Sequence, residues 1–148
     1  MRVVSLVALA AVLAAGGERG VRVQYVGGTV SGLSSKGSAR LDLTDSDTLL
    51  LRAEKTEVRI PYKRVNTLEY GQNVGRRYVA AIVISPILLL SKARRHFVTL
   101  GYVDTEDRQH AMVLRINKGD IRFVLASLEA RTGRRVEFQD DEARKSGK

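Results

Sequence analysis

Apolar and polar residues alternate with a period of two through most of this chain, and that alternation restricts it to a mainly β fold. Near the start, Val21, Val23 and Tyr25 alternate with Arg22 and Gln24, as in a strand that buries one face. Comparable patterns recur at residues 39–43, 48–53, 58–60, 65–70, 97–103 and 111–116. Short connections between successive segments favour antiparallel neighbours, so the sequence predicts about seven short antiparallel strands.

The period changes from that of a strand to that of a helix after residue 120. The apolar residues that then form one stripe, at i, i+3, i+4 and i+7, are Ile121, Val124, Leu125 and Leu128. Asp120 is the predicted N-cap, and Gly133 is the predicted stop after the last turn. Residues 134–138 are compatible with one further short strand. Residues 139–148 are charged and poor in apolar side chains, which predicts a disordered tail.

The N-terminus has the pattern of a secretory signal peptide. Met1 and Arg2 form a short basic region, residues 3–15 are almost entirely small and aliphatic, and residues 14–17 offer a cleavage site. We therefore expect a leader over residues 1–19, a single domain over residues 20–138, and a periplasmic or cell-envelope location. A buried N-terminal helix is the alternative. The absence of cysteine excludes disulfides, thiolate catalysis and lipoprotein-type acylation.

The order of seven strands followed by one helix resembles the pleckstrin-homology-like superfold, which includes bacterial versions and the GRAM domains. The segments that carry the resemblance are residues 39–51 (ARLDLTDSDTLLL), 58–68 (VRIPYKRVNTL) and 97–102 (FVTLGY). The resemblance implies a small β-barrel or sandwich capped by an α-helix, and a lipid-, peptide- or protein-binding module. In the superfold, phosphoinositide ligands use a basic cluster in the first hairpin loop. Here that loop, residues 31–38, has only Lys36, so phosphoinositide binding is not carried over.

An apolar insertion lies between the fifth and sixth predicted strands. Residues 78–90 read YVAAIVISPILLL, and no acidic residue occurs between Glu69 and Asp104. The flanking cations, which we expect to meet anions, are Arg76, Arg77, Lys92, Arg94 and Arg95. The expected apolar anchor residues are Ile82, Ile84, Ile87, Leu88 and Leu90.

An apolar run flanked by cations suits an anionic membrane surface. As a helix the run reaches only about 20 Å, whereas the hydrocarbon core is about 30 Å thick. Burial in the fold and a groove for a protein partner are the alternatives.

The sequence lacks the residue patterns of known catalytic and cofactor sites. The two histidines, His96 and His110, are isolated, and no metalloprotease, phosphate-loop, nucleophile-elbow or dinucleotide motif occurs. The net charge of +9 fits anionic partners, but with 5% aromatic residues and no tryptophan the chain is poorly equipped to stack nucleic-acid bases. We therefore expect no enzyme, cofactor, metal, nucleic acid or small-molecule substrate. The predicted function is an exported binding module at a membrane surface or envelope protein. The alternative is a soluble periplasmic scaffold that binds a protein or peptide, with the apolar segment buried.

Overall fold

A computed structural model describes residues 19–34, 37–72 and 95–148 of the chain. One of the described connections is a short 3-10 helix, Tyr62–Arg64. The strands are β1 (Val21–Gly28), β2 (Ser38–Asp42), β3 (Thr48–Ala53), β4 (Glu57–Pro61), β5 (Val65–Gly71), β6 (His96–Val103), β7 (Gln109–Ile116) and β8 (Glu137–Phe138). The helices are α1 (Ile121–Thr132) and α2 (Asp141–Gly147). The predicted leader, apart from residue 19, and the whole of segment 78–90 lie outside the described residues.

The described strands form one mixed sheet of eight strands in the order β4-β3-β2-β1-β7-β6-β5-β8. The prediction of a mainly β fold is confirmed, whereas the sheet has eight strands where about seven were expected. The eighth strand, β8, lies within residues 134–138, where the sequence is compatible with one further short strand. It pairs in parallel with β5 at the edge of the sheet, so the sheet is not purely antiparallel. The sheet is open, because β4 and β8 are its two edges and do not pair with each other.

The three-residue 3-10 helix Tyr62–Arg64 requires the sheet to roll up. It joins the end of β4 to the start of β5, although these strands stand first and seventh in the order of the sheet. A flat sheet would separate them by about 30 Å, since neighbouring strands lie about 4.8 Å apart. The sheet therefore curls around its concave face. That face holds one core cluster to which every strand from β1 to β7 contributes, including Val23, Leu51 and Leu100.

The convex face is also buried where β1, β7 and β6 lie side by side. Val26, Val113 and Phe97 are at most 5% exposed, yet they do not belong to the core cluster on the concave face. Val26 lies in a bulge of β1, because the register with β7 shifts between Tyr25 and Gly27. We call this surface the outer apolar face; its residues are Val26, Phe97, Thr99, Ala111 and Val113.

Helix α1 closes the open end of the rolled sheet. Its buried residues are the predicted stripe, Ile121, Val124, Leu125 and Leu128, and all of them belong to the core cluster. Gly133 ends the helix in the left-handed conformation, with φ of 68°, as predicted. The expectation for Asp120 is only half correct. Its carbonyl accepts from the Val124 N–H, but its side chain makes no capping hydrogen bond because its backbone is already helical.

The structure corrects the expected disordered tail. Residues 141–147 form helix α2, and the Asp140 side chain caps it by accepting from the backbone N–H of Ala143 at 2.7 Å. Ala143 is fully buried in the core cluster, so this short helix is held by packing and not by helix propensity alone. The only apolar side chain inside the segment is this small one, which is why the composition of the tail predicted disorder.

Candidate functional site

A cleft with arginines on its walls lies where β1 begins and β7 ends. It has a volume of about 200 Å³ and opens on the convex side of the sheet. Its lining residues are Arg22, Val23, Gln24, Ser38, Arg115 and Asn117. We call it the basic cleft. Among the lining residues that the structure describes, two are arginines and none is acidic, so this part of the cleft carries positive charge.

The pairing of β1 with β7 brings the two arginines of the basic cleft together. Gln24 of β1 is the register partner of Arg115 of β7, and the Arg115 guanidinium donates to Gln24 Oε1 at 3.0 Å. Arg22 lies two residues before Gln24 and therefore on the same convex face. Because alternate residues of a strand share a face, Arg22 and Arg115 project from neighbouring strands toward one space.

A third arginine adds its charge to the same end of the sheet. Arg95 directly precedes β6 and lies two residues before Phe97, the register partner of Arg115. Partial burial lowers the pKa of Arg115, and the positive charge of Arg95 lowers this pKa further. Two like charges close enough to influence each other favour an anion between them.

The arginines of this end have no partner of opposite charge among the described residues. Within the part of the chain that the structure describes, no carboxylate forms an ion pair with Arg22, Arg95 or Arg115. On β3, by contrast, Arg52 pairs with Asp42 at 3.1 Å and is neutralised within the fold. Guanidinium groups beside neutral amide and hydroxyl donors suit oxyanions such as phosphate. The basic cleft therefore has the chemistry of an anion site.

Of the five cations that the sequence singled out, Arg95 is the one the structure describes, and it lies beside this cleft. The others, Arg76, Arg77, Lys92 and Arg94, fall outside the described residues, as do the anchor residues Ile82, Ile84, Ile87, Leu88 and Leu90. Sequence reasoning missed Arg22 and Arg115. Each occupies a polar position of an alternating strand, where an arginine is ordinarily a solvated surface residue, so the pattern gave no signal for them.

A second cleft of about 390 Å³ lies between the β1–β2 and β3–β4 loops. Tyr25, Leu33 and Ala53 give it an apolar floor, while Lys55 and Glu54 stand at its rim. Among its described lining residues one cation faces one carboxylate, so the cleft has no excess charge. It therefore differs from the basic cleft in having no chemistry that selects anions.

His110 of β7 links the side chains of two residues that follow its neighbouring strands, Thr29 after β1 and Asp104 after β6. Its Nε2 lies 2.9 Å from Asp104 Oδ2, and its Nδ1 lies 3.0 Å from Thr29 Oγ1. An Asp–His–hydroxyl chain resembles the order of groups in a hydrolase triad. However, Thr29 Oγ1 already accepts from the backbone N–H of Ala111 at 3.1 Å. The hydroxyl therefore also fixes β1 against β7, and we call this arrangement the clasp.

Asp104 is held in its charged form at this clasp. Hydrogen bonds from the backbone of Arg108, and then from His110 and the backbone of Glu106, keep the pKa of Asp104 well below its usual range. The other histidine, His96, stacks on Tyr70, with ring centres 6.0 Å apart. Among residues 19–34, 37–72 and 95–148 no group of three histidine or acidic side chains is arranged to hold a metal ion.

The chain matches no protein-family model, and no curated protein matches it significantly. Within the described ranges, no helix combines the length and the apolar character needed to cross a bilayer.

Proposed function

We propose that this chain is a non-enzymatic, exported binding module with a pleckstrin-homology-like fold, and that it associates with an anionic membrane surface. The fold proposal rests on the order of elements. Four strands, β1 to β4, precede three further strands, β5 to β7, and a helix then closes the rolled sheet. The short strand β8 and helix α2 are additions to that plan.

The observation that carries the membrane proposal is the set of arginines around the basic cleft that have no carboxylate partner among the described residues. Arg22, Arg95 and Arg115 come from three different places in the sequence and lie at one end of the sheet. A surface that concentrates unpaired cations attracts anionic lipid headgroups by roughly 1 kcal/mol for each cation that reaches them.

The sequence around Arg95 extends this charge toward the apolar segment. Lys92, Arg94 and Arg95 directly follow segment 78–90, and no acidic residue occurs in the sequence from residue 70 to residue 103. The cations that meet phosphates and the apolar residues that enter the acyl boundary would thus be neighbours. The signal-peptide pattern of residues 1–19 supports a periplasmic or cell-envelope location for this contact.

A second candidate function is favoured by the outer apolar face. Gly71 and Phe97 are register partners, so the chain leaves β5 and re-enters β6 at the border of that face. If segment 78–90 covers Val26, Val113 and Phe97, it belongs to a second core and has no role at a membrane. The chain would then be a soluble periplasmic scaffold that binds a protein or peptide at a sheet edge.

Co-sedimentation with vesicles tests the two candidates. The chain from Gly20 onward is mixed with vesicles of phosphatidylglycerol and phosphatidylcholine, or of phosphatidylcholine alone, in 0.1 M and 1 M salt. Raising the salt shortens the Debye length from about 10 Å to about 3 Å. The membrane proposal expects sedimentation with anionic vesicles in low salt, and its loss in high salt or with neutral vesicles.

Three variants locate the contact. Arg22→Gln with Arg115→Gln is expected to weaken anionic-vesicle binding about thirtyfold, since two headgroup contacts of roughly 1 kcal/mol each are lost. Lys55→Gln with Lys63→Gln removes the same charge from exposed positions elsewhere and should change binding little. Ile84→Asp with Leu88→Asp should abolish binding without unfolding the chain. If the parent stays in the supernatant, or if the aspartate variant unfolds, the scaffold function is supported and the membrane function is rejected.

A further inference from the structure

Helix α1 turns a partly apolar surface toward solvent on the side opposite the core. Phe123 is 59% exposed and is the one large apolar side chain that the described residues expose. Ala126 and Ala130 follow it at i+3 and i+7 and are exposed too, so the three lie along one face of the helix. Phenylalanine and arginine are enriched at protein contact surfaces relative to the rest of the surface.

This face leads into a groove between α1 and the segment that contains β8 and α2. The groove has a volume of about 690 Å³, with Ala126, Ala130, Val136 and Phe138 as its apolar lining. We call it the helical groove. Its volume lies within the roughly 300–1,000 Å³ of sites that take a small molecule or a few side chains. Two alanines allow another backbone to approach α1 closely.

Three arginines, Arg134, Arg135 and Arg144, stand at the rim of the helical groove. Arg134 and Arg135 form no ion pair with any described residue, and Arg144 reaches Asp141 only at 4.0 Å, with both side chains exposed. Glu129, the one acidic side chain among the described lining residues, accepts from the backbone N–H of Val136 at 2.8 Å and thereby fixes the turn after α1. The charge that the groove presents is therefore positive.

We infer that the helical groove docks an acidic, partly apolar peptide segment of a protein partner. Aliphatic side chains of the peptide lie on Ala126 and Ala130 and against Phe123, and its carboxylates meet the rim arginines. The concave shape between two helices favours a peptide over a lipid surface, which contacts flat or convex patches. This site is separate from the basic cleft, so it does not depend on the proposed membrane function.

Fluorescence anisotropy with the full-length protein tests this inference. The probe is a labelled synthetic peptide in which pairs of leucines alternate with pairs of glutamates. A polyglutamate of equal length and the same peptide with lysine in place of glutamate are the comparison probes. We expect the leucine–glutamate peptide to bind at least about tenfold more tightly than either, because only it satisfies both the apolar floor and the arginine rim.

Two variants and a control decide the outcome. Arg134→Glu with Arg135→Glu should weaken binding at least about tenfold, and Ala130→Gln, which fills the floor with a good helix former, at least about fivefold. Lys55→Glu with Lys63→Glu changes the net charge equally and should leave the affinity unchanged. Equal weakening by the control, equal binding of polyglutamate, or a dependence of vesicle binding and not peptide binding on Arg134 and Arg135 would each overturn the proposal.

Discussion

The guanidinium of Arg131 lies over the ring of Tyr62, 5.7 Å from the ring centre, and so connects the last turn of α1 to the corner between β4 and β5. The same guanidinium donates to the backbone carbonyl of Asp45 at 2.7 Å. One side chain therefore fastens the closing helix to two turns of the rolled sheet.

Replacing Arg131 with alanine should lower the free energy of unfolding by about 1–2 kcal/mol, because a cation–π contact and a hydrogen bond are lost together. Arg131→Lys keeps the charge but loses the planar guanidinium group. Its free energy of unfolding should therefore lie between those of the parent and of Arg131→Ala. Urea unfolding of each variant measures the change. Arg122→Ala, on the exposed side of the same helix, is the control and should stay within about 0.5 kcal/mol of the parent. Equal effects at Arg122 and Arg131 would contradict the fastening role.

Removing the Tyr62 hydroxyl should not lower the free energy of unfolding, in contrast to the loss of Arg131. The hydroxyl is buried and, within the described residues, is the one buried side-chain oxygen or nitrogen without a hydrogen-bond partner. Tyr62→Phe removes an unsatisfied polar atom, so stability should stay the same or rise by about 1 kcal/mol. Tyr25, whose oxygen accepts from the backbone of Val30, is the matched control. Tyr25→Phe should cost about 1 kcal/mol, since that N–H loses its partner. Thermal unfolding of both variants distinguishes the signs.

The lowered pKa of His96 makes the stability of the fold depend on pH between neutral and mildly acidic values. The Nδ1 of His96 lies 2.5 Å from the Tyr70 hydroxyl, and burial, followed by the charge of Lys118, lowers the pKa of His96. The unfolded chain, with a histidine pKa of about 6.5, then binds the proton more tightly than the folded chain. This contribution to stability is present above that value and is lost as the pH falls through the lowered folded pKa.

His96→Gln should therefore flatten the decline in melting temperature between pH 7.5 and pH 5. Lys118→Gln should flatten it in part, since one cause of the lowered pKa is removed. An NMR titration of the His96 ring follows the pKa directly. A ring that titrates at or above the usual histidine value would contradict the prediction.

Unfolding measurements on variants of helix α2 test whether residues 140–148 pack on the core or are disordered. Truncation after Gln139 should lower the free energy of unfolding by about 1–3 kcal/mol, because the packing of Ala143 in the core cluster is lost. Asp140→Ala removes only the cap and should cost about 1 kcal/mol. Arg144→Ala, at an exposed position of the same helix, is the control. A truncated protein as stable as the parent would instead support the disordered tail that the composition predicted.

Much of the sheet could be predicted because its strands are local patterns. The strand predicted over residues 48–53 coincides with β3, and the helical stripe and Gly133 define α1. Each of these signals lies within a few neighbouring residues, where periodicity and backbone preference act. The parallel pairing of β8 with β5 has no such signal, since two residues carry no period.

The basic cleft could not be predicted, because it depends on register. Arg115 and Gln24 are 91 positions apart and meet only through the pairing of β7 with β1. The outer apolar face had a partial signal. In β6 the residues Phe97 and Thr99 are as buried as Val98 and Leu100, and an almost continuous apolar run is typical of a strand that is buried on both faces.

The seam between β1 and β7 has a consequence for how the chain acquires this fold. Strands β1 to β4 form successive hairpins, and so do β6 and β7, so both groups assemble from contacts that are local in sequence. The seam closes a loop of about ninety residues, at an entropic cost that grows with the logarithm of loop length. Long-range pairing of this kind slows folding, and until it forms, both strands present open hydrogen-bonding edges. While the chain folds, each half-sheet can therefore pair either with the other half-sheet or with a neighbouring molecule.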